Sequence, residues 1–139
     1  MNETKSKRLT IPILQKRLDS IFSEYIRLRD ANENGFCKCI TCGSMWRWQL
    51  IQNGHFIDRR HIKTRYDERN CHSQCSICNI RLRGNIEKYK RAIIQMYGVS
   101  VLEELDSAKR TIEKWTTSDY LEKIEYYKNE VKRLKKEKL

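Results

Sequence analysis

Two short motifs, Cys39-Ile-Thr-Cys42-Gly43 and Cys75-Ser-Ile-Cys78-Asn79, decide how this chain folds. Each motif places two thiols three positions apart, and the two pairs together supply the four soft ligands that a tetrahedral zinc ion needs. The 32 residues between the pairs exceed what a compact zinc ribbon uses, and they contain all three histidines of the protein, His55, His61 and His72. The sequence therefore predicts a structural Zn²⁺ site that closes the base of a larger unit, with the ligands Cys39, Cys42, Cys75 and Cys78.

The composition indicates a small core and a polyanionic partner. Of the 139 residues, 39% are hydrophobic and 34% are charged, and a core this small usually needs a staple such as a metal. The net charge is +11, and residues 37–105 hold the largest excess, with twelve basic and six acidic side chains. A basic excess on the cysteine and histidine segment favours nucleic acid as the partner.

Neither secretion nor membrane insertion is expected. Residues 1–8 lack the apolar stretch of a signal peptide, and no apolar run approaches the roughly 18 residues that a membrane span needs. We therefore expect a cytoplasmic protein with no membrane partner. In that reducing compartment, paired thiols indicate metal ligands rather than disulfides.

Helices are predicted on both sides of the central segment. Residues 1–9 are polar and are predicted to be loose. Thr10 and Pro12 are typical of a helix start, and apolar residues then recur at helical spacing to about Asp30. Towards the other end of the chain, residues 101–115 predict a short amphipathic helix.

A last helix is predicted to carry an apolar stripe. Asp119 followed by Glu122 is a capping signal for its start. The apolar residues after it alternate at spacings of three and four over about two heptads, which is compatible with a dimer seam or with packing against the first helix. Of the two, we expect the dimer contact. The stripe consists of Tyr120, Ile124, Tyr127, Val131 and Leu134.

The residues from 36 to 52 are predicted to be rich in β-structure. Residues 36–43 predict a short strand that turns through the first cysteine pair, where Gly43 allows a tight turn. Residues 44–52 are aromatic and β-compatible. Within them, Trp46 and Trp48 are suited to covering the core or to stacking on bases, and we expect the first role.

The stretch that follows is predicted to be mostly irregular. An Asn-Gly pair at 53–54 predicts a turn directly before His55, and residues 56–69 predict a basic loop. A helix is expected to start at Cys75, to break at a Gly-Asn pair, and to resume over residues 86–97. The whole chain then divides into a tail and helix (1–35), a zinc-bound core (36–98) and a helical extension for dimerisation or DNA contact (99–139).

The order of residues in the core resembles the HNH (ββα-metal) nucleases. In that family a zinc-clamped hairpin and helix present a histidine, a middle asparagine and a final histidine or asparagine, here matched by His55, Asn70 and Asn79. The segment 78–84 resembles phage T4 endonuclease VII, a Holliday-junction resolvase. The nearest resemblance is to the phage lambda NinG (Rap) recombination endonuclease family, over roughly residues 20–100. It is carried by Ile26-Arg-Leu-Arg-Asp30, Cys39-Ile-Thr-Cys42-Gly43, Gly54-His55-Phe56, Asn70-Cys-His-Ser-Gln74-Cys75, Cys78-Asn79, Gly84-Asn85 and Tyr89.

The resemblance implies a role for each matched residue. His55 is the implied general base, and the ordinary histidine pKa of about 6.5 suits that task. Asn70 is implied to hold the imidazole in one tautomer by accepting a hydrogen bond. Asn79 is implied to bind a catalytic Mg²⁺ or Mn²⁺ through an oxygen donor. The zinc would be structural, because four thiolates leave no open position.

Gly54 departs from the family pattern. Many HNH enzymes carry an aspartate or histidine just before the base as a second metal ligand, and a glycine has no side chain to offer. Asp58, His61 and His72 are the alternatives for this ligand, and His72 is nearest to the family-like segment.

Further side chains around the core have predicted roles. Cys37 and Cys71 exceed what one zinc needs and are expected to be small buried groups. The spacing Cys37-x-Cys39 nevertheless offers an alternative pair of metal ligands. The basic residues could be a solvated face, but beside a nuclease site we expect phosphate contacts. These residues are Arg59, Arg60, Lys63, Arg65, Arg81 and Arg83.

The sequence thus predicts an α+β fold with a small zinc-stabilised HNH core flanked by N- and C-terminal helices. The resemblance implies a metal-dependent DNA endonuclease of recombination that acts on branched DNA such as Holliday junctions or D-loops. It also implies a phage or prophage protein that acts in the cytoplasm of a bacterial host, and cutting both strands of a junction would require a homodimer. The alternatives are a zinc-containing module that binds DNA without cutting it and a site-specific HNH nicking enzyme.

Overall fold

The computed structural model describes residues 9–139, so the predicted loose tail lies outside the described residues except for Leu9. Helices and two small antiparallel sheets confirm the α+β class. In chain order the elements are α1 (Ile11–Asp30), β1 (Phe36–Lys38), β2 (Met45–Arg47), β3 (Gln52–His55), α2 (Ile62–Arg65), β4 (Cys71–Gln74), a π-helical turn (Ile77–Arg81), α3 (Ile86–Tyr97), α4 (Val99–Arg110) and α5 (Thr117–Lys138).

Helix α1 begins and ends where the sequence predicts. The Thr10 hydroxyl accepts a hydrogen bond from the amide of Ile13, and Pro12 lies in the first turn, where no intrahelical amide donor is lost. Its apolar face is fully buried, with Leu14, Leu18 and Ile26 at 0% exposure. Each such side chain stabilises the fold by roughly 1.5–3 kcal/mol.

The apolar stripe of α5 packs on α1 within the same chain, so the expected dimer seam is wrong for this face. Tyr120, Tyr127, Val131 and Leu134 are buried in the core that α1 forms. At the far end, the Lys138 ammonium donates to the carbonyls of Leu28, Arg29 and Ala31 at 2.8–3.0 Å. A cation on the carbonyls of the last turn stabilises the C-terminal end of α1.

The boundaries of the last two helices differ from the prediction. Helix α4 begins at Val99 and ends at Arg110, short of the predicted residue 115. The capping box of α5 consists of Thr116 and Asp119, whose side chains each bond the other's backbone amide. The cap is Thr116, whose hydroxyl accepts from the amide of Asp119, and Asp119 is the third residue of the helix.

The two sheets are hairpins. Strand β1 pairs with β2, and β3 pairs with β4 so that Gly54 opposes His72 and His55 opposes Cys71. The predicted Asn-Gly turn is thus strand. A Cβ at position 54 would lie 2.1 Å from Gln74 Oε1, so glycine is required here by the close approach of Gln74 and not by a turn.

The remaining predictions for this region have mixed outcomes. Trp48 is 9% exposed and belongs to the core, with Trp46 packed against it, which confirms the covering role. The predicted basic loop contains the short helix α2. Cys37 and Cys71 are both fully buried, as expected.

Within residues 9–139, no helix combines the length and apolar character that crossing a membrane requires.

The four predicted metal ligands come together where the turn between β1 and β2 meets the start of the π-helical turn. Their sulfur atoms all lie within 4.8 Å of one another, and those of Cys42 and Cys75 are 3.8 Å apart. Two thiolates on one tetrahedral zinc, each about 2.3 Å from the ion, are about 3.8 Å apart. The four cysteines are therefore positioned to hold a metal ion.

The surroundings of the cysteine cluster suit thiolate ligands. The amide of Cys75 donates to Cys39 Sγ at 3.3 Å, and Asn85 Nδ2 lies 3.6 Å from Cys78 Sγ. Burial opposes ionisation of Cys39, but this amide and the Thr41 hydroxyl outweigh it and lower the pKa of Cys39 to about 6. Hydrogen bonds of this kind orient and stabilise metal-bound sulfur.

Cys39→Ala and Cys37→Ala form a matched pair that tests this cluster, since both thiols are buried and only two residues apart. We expect about one tightly bound Zn²⁺ per chain in the wild type and in Cys37→Ala, and less than a fifth of that in Cys39→Ala. Elemental analysis measures the zinc, and circular dichroism follows unfolding after chelation. Structural zinc carries roughly 10–16 kcal/mol of apparent folding free energy in small domains. Removal of the zinc by a chelator is therefore expected to unfold the central part of the protein. Equal zinc content in the two variants would contradict the assignment.

Candidate functional site

A wide groove runs beside the β3–β4 hairpin and encloses about 1690 Å³. It is larger than the usual 300–1,000 Å³ of a small-molecule site and suits a macromolecular ligand. Seven of its lining residues are basic and five are acidic, so the lining has a net positive charge. The groove brings together His55, Asn79, Asp58, Arg59, Arg60, Arg65 and Arg83.

His55 ends strand β3 and has a fixed protonation pattern. Its Nε2 lies 2.9 Å from the carbonyl oxygen of Arg65. Because a carbonyl can only accept, Nε2 carries the proton and Nδ1 remains the acceptor. Burial, with smaller contributions from Arg59 and Arg65, lowers the pKa of His55 to about 4. The ring is therefore neutral at pH 7, with one basic nitrogen.

Asn70 does not hold the imidazole, contrary to the role that the resemblance implied. It is fully buried. Its Oδ1 accepts from the amide of Ile57, and its Nδ2 donates to the carbonyls of Ile57 and Thr64 at 3.0 Å. Asn70 thus ties together the two ends of the loop that connects β3 with β4. The acceptor for His55 comes from that loop's backbone, at Arg65.

Asn79 lies on the π-helical turn and lines the groove. Its Nδ2 donates to Gln52 Oε1 at 2.9 Å. This hydrogen bond fixes the orientation of the amide and leaves Oδ1 as an acceptor. Asn79 therefore offers the oxygen donor that a hard divalent cation would need.

The three alternatives for a second metal ligand occupy different places. His72 is 2% exposed, and its ring nitrogens lie 3.1 and 2.8 Å from the hydroxyls of Tyr89 and Tyr97. With both nitrogens engaged, His72 is a core residue, and its position tells against metal binding. His61 precedes α2 outside the groove lining.

Asp58 is the one of the three that lines the groove. Its carboxylate bonds the Arg60 guanidinium through both oxygens at 2.8–2.9 Å. Hydrogen bonds from Arg60 lower the pKa of Asp58 well below its usual range. Asp58 is thus an ionised oxygen donor beside the groove, although it already has a cationic partner.

The predicted phosphate contacts divide into two groups. Arg59, Arg60, Arg65 and Arg83 line the groove, whereas Lys63 and Arg81 are exposed outside it. Among the first group, Arg65 is committed to Asp19 through two nitrogens at 2.5–3.0 Å. Arg59 and Arg83 are both exposed, and Arg59 Nη1 lies 3.7 Å from Asp19 Oδ2.

Sequence reasoning missed the residues that hold His55 and Asn79 in place. The Arg65 carbonyl is a backbone group and has no residue-type signal. Asp19 lies within the predicted first helix and Gln52 at the end of the predicted β-compatible stretch 44–52, and nothing in the sequence around either residue indicates these contacts.

Comparison with known proteins places the chain among bacteriophage proteins. The model of the family described as "Bacteriophage Lambda NinG protein" matches residues 3–137. Similar curated proteins, each named "Protein ninG", come from Salmonella phage P22 (29% identical), Escherichia phage 933W (28%) and Escherichia phage lambda (27%).

Each of these matches covers 104 residues, which is 75% of this chain and 48–49% of the relative. The chain therefore spans about half the length of the curated relatives it matches. No solved structure matches it. Because the family model covers nearly the whole sequence, the chain belongs to the NinG family of bacteriophage proteins.

Proposed function

We propose that this protein is a metal-dependent DNA endonuclease that cleaves branched DNA during phage recombination in the bacterial host. The observation that carries the proposal is His55 beside the basic groove. Its Nε2 is bound to the Arg65 carbonyl at 2.9 Å, so Nδ1 is available as a base. A neutral imidazole with one oriented basic nitrogen is what a general base for water requires.

The order of elements around the groove supports an HNH-like arrangement. An antiparallel hairpin, β3 and β4, is followed by helical structure from Ile77. The proposed base lies on the first strand, and Asn79 lies on the helical turn. This ββα order fits the zinc-clamped hairpin and helix that the resemblance to HNH nucleases implies, and the segment 78–84, which resembles T4 endonuclease VII, includes most of the helical turn.

The chemistry would divide among the residues of the groove. His55 Nδ1 takes a proton from the attacking water. Asn79 Oδ1 and the Asp58 carboxylate are oxygen donors that fit Mg²⁺ or Mn²⁺, which when bound would stabilise charge on the phosphate and leaving oxygen. Arg59 and Arg83 bind the DNA backbone, whose contacts position the substrate without reading its sequence.

Branched DNA is the substrate class that the family resemblance favours. Cutting two strands of a junction needs two active sites, so we propose that two copies act together. Since the α5 stripe is buried against α1, a second copy would have to use another surface.

A DNA-binding module without nuclease activity is the second candidate, and Gly54 favours it. The position that carries a metal ligand in many HNH enzymes has no side chain. It could not gain one without moving Gln74, because a Cβ would lie 2.8 Å from the Gln74 Cβ. This candidate keeps the basic groove and predicts binding without cleavage.

His55→Ala separates the two candidates. We expect the variant to lose divalent-ion-dependent cleavage by at least about a hundredfold, since general base catalysis contributes roughly 10²–10⁴-fold. Its dissociation constant for a four-way junction should stay within about threefold of wild type. Junction, duplex and flap substrates with Mg²⁺ and Mn²⁺ measure cleavage, and electrophoretic mobility shift measures binding.

His61→Ala is the matched control, because His61 lies outside the groove lining, and it should cleave like the wild type. Wild-type protein that binds junctions but cuts none of the substrates would establish the binding module instead. Cuts at one sequence on linear duplex would indicate a site-specific nicking enzyme.

Arg83→Ala and Arg81→Ala test the groove as the DNA-binding surface. Both side chains are exposed and only two residues apart, but only Arg83 lines the groove. We expect Arg83→Ala to weaken junction binding and to lower the slope of log K against log salt by about 1, as for one lost phosphate contact. Arg81→Ala should change neither quantity. The opposite ranking of the two variants would place the DNA elsewhere.

A further inference from the structure

Asp19, in the middle of α1, is linked to His55 through a single residue. Its carboxylate accepts from Arg65 Nε at 3.0 Å and from Arg65 Nη2 at 2.5 Å. Arg65 in turn presents its carbonyl oxygen to His55 Nε2 at 2.9 Å. The Arg65 side chain is only 14% exposed and that of Asp19 only 22%, so solvent competes little for this ion pair.

The Arg65 carbonyl is held from several directions. Cys71 Sγ approaches it at 3.5 Å from the neighbouring strand. Asn70 binds the preceding carbonyl, that of Thr64. The side chain of Arg65 also donates to the carbonyl of Arg59 at 2.9 Å. Of these contacts, only the pair with Asp19 joins the loop to a separate, rigid helix.

We infer that Asp19 is a positioning residue that fixes the tautomer and orientation of His55 by holding Arg65 in place. The inference rests on the proposed function for its consequence in catalysis. A two-point contact between a guanidinium and a carboxylate fixes direction as well as distance. With Arg65 fixed, its carbonyl selects the His55 tautomer whose free nitrogen is Nδ1.

The same pairing explains why Arg65 is unsuited to phosphate binding. A guanidinium whose Nε and Nη2 both bind one carboxylate has lost its bidentate edge for another anion. Asp19 therefore has two effects on the groove. It orders the base, and it removes one of the basic side chains that the sequence assigned to DNA.

Tyr66 provides a matched control for Asp19. Its hydroxyl donates to Asp19 Oδ1 at 2.6 Å, so Tyr66→Phe removes one partner of the carboxylate but leaves the pair with Arg65. Asp19→Asn keeps the shape of the side chain and removes its charge. A role limited to stabilising the fold would affect both variants alike.

The test compares wild type, Asp19→Asn and Tyr66→Phe by two readouts. Long-range ¹H–¹⁵N spectra of the histidines, recorded without metal or DNA, report which nitrogen of His55 carries the proton. Steady-state cleavage of a four-way junction gives kcat and KM. We expect Asp19→Asn to show a mixture of tautomers and a kcat lower by on the order of tenfold to a hundredfold, as when an outer partner of a functional histidine is lost. Its KM should stay within about twofold, and Tyr66→Phe should match the wild type in both readouts.

A wild-type tautomer and kcat in Asp19→Asn would overturn the inference. Equal losses in Asp19→Asn and Tyr66→Phe would overturn it too, because they would indicate a stabilising role alone. If the wild type cleaves nothing, the proposed function fails. The tautomer spectra then decide the inference by themselves, and a mixture confined to Asp19→Asn supports it.

Discussion

The cluster of four cysteines is the constraint on which the rest of the structure depends. It joins the turn after β1 to the start of the π-helical turn, two segments that are far apart in the chain and that are also linked by hydrogen bonds from Ile40 to Ser73 and from Gln74 to Thr41. Three of the four, Cys39, Cys75 and Cys78, also belong to the main hydrophobic core. A metal at this point would hold together the two ends of the segment that contains β3 and β4, and this would add to the stability that burial supplies to a small core.

The helices contribute contacts that hold the hairpins and the loop between β3 and β4 in place. Helices α1 and α5 pack against one another, and α1 also packs against the strands. Glu68 accepts from both Tyr25 and Tyr127 at 2.8 and 3.0 Å. Through Asp19, α1 also reaches the loop that carries Arg65. The groove is thus bordered by a hairpin, a loop and a helix whose relative positions are each fixed by a separate set of polar contacts. Such support is what a functional side chain needs to keep one geometry.

Local signals in the sequence were sufficient for some of this and not for the rest. Cys39 and Cys42 predict a metal site because ligand spacing is a local property, and α1 follows from its cap and its periodicity. The partner of the α5 stripe was not predictable, since the same heptad spacing suits a neighbouring helix or a second copy. The Asn-Gly pair at 53–54 predicts a turn, but Gly54 lies in strand β3, where Gln74 packs closely against it. The acceptor for His55 is a backbone carbonyl, so only the path of the loop, set by Asn70, reveals it.

The central claim is that His55 is a half-buried histidine that acts as the proposed base and whose Nδ1 stays unprotonated well below neutral pH. Burial lowers the pKa of His55 to about 4, so protonation should remove activity only as the pH falls towards that value. The most direct measurement is the rate of divalent-ion-dependent cleavage of a four-way junction between pH 4.5 and 8, with folding checked in each buffer by circular dichroism. We predict that the rate at pH 5.5 stays within about twofold of that at pH 7. An exposed histidine with a pKa of about 6.5 would instead leave roughly a tenth of the base form at pH 5.5, and a rate that falls in that proportion, or no cleavage at any pH, would contradict the account.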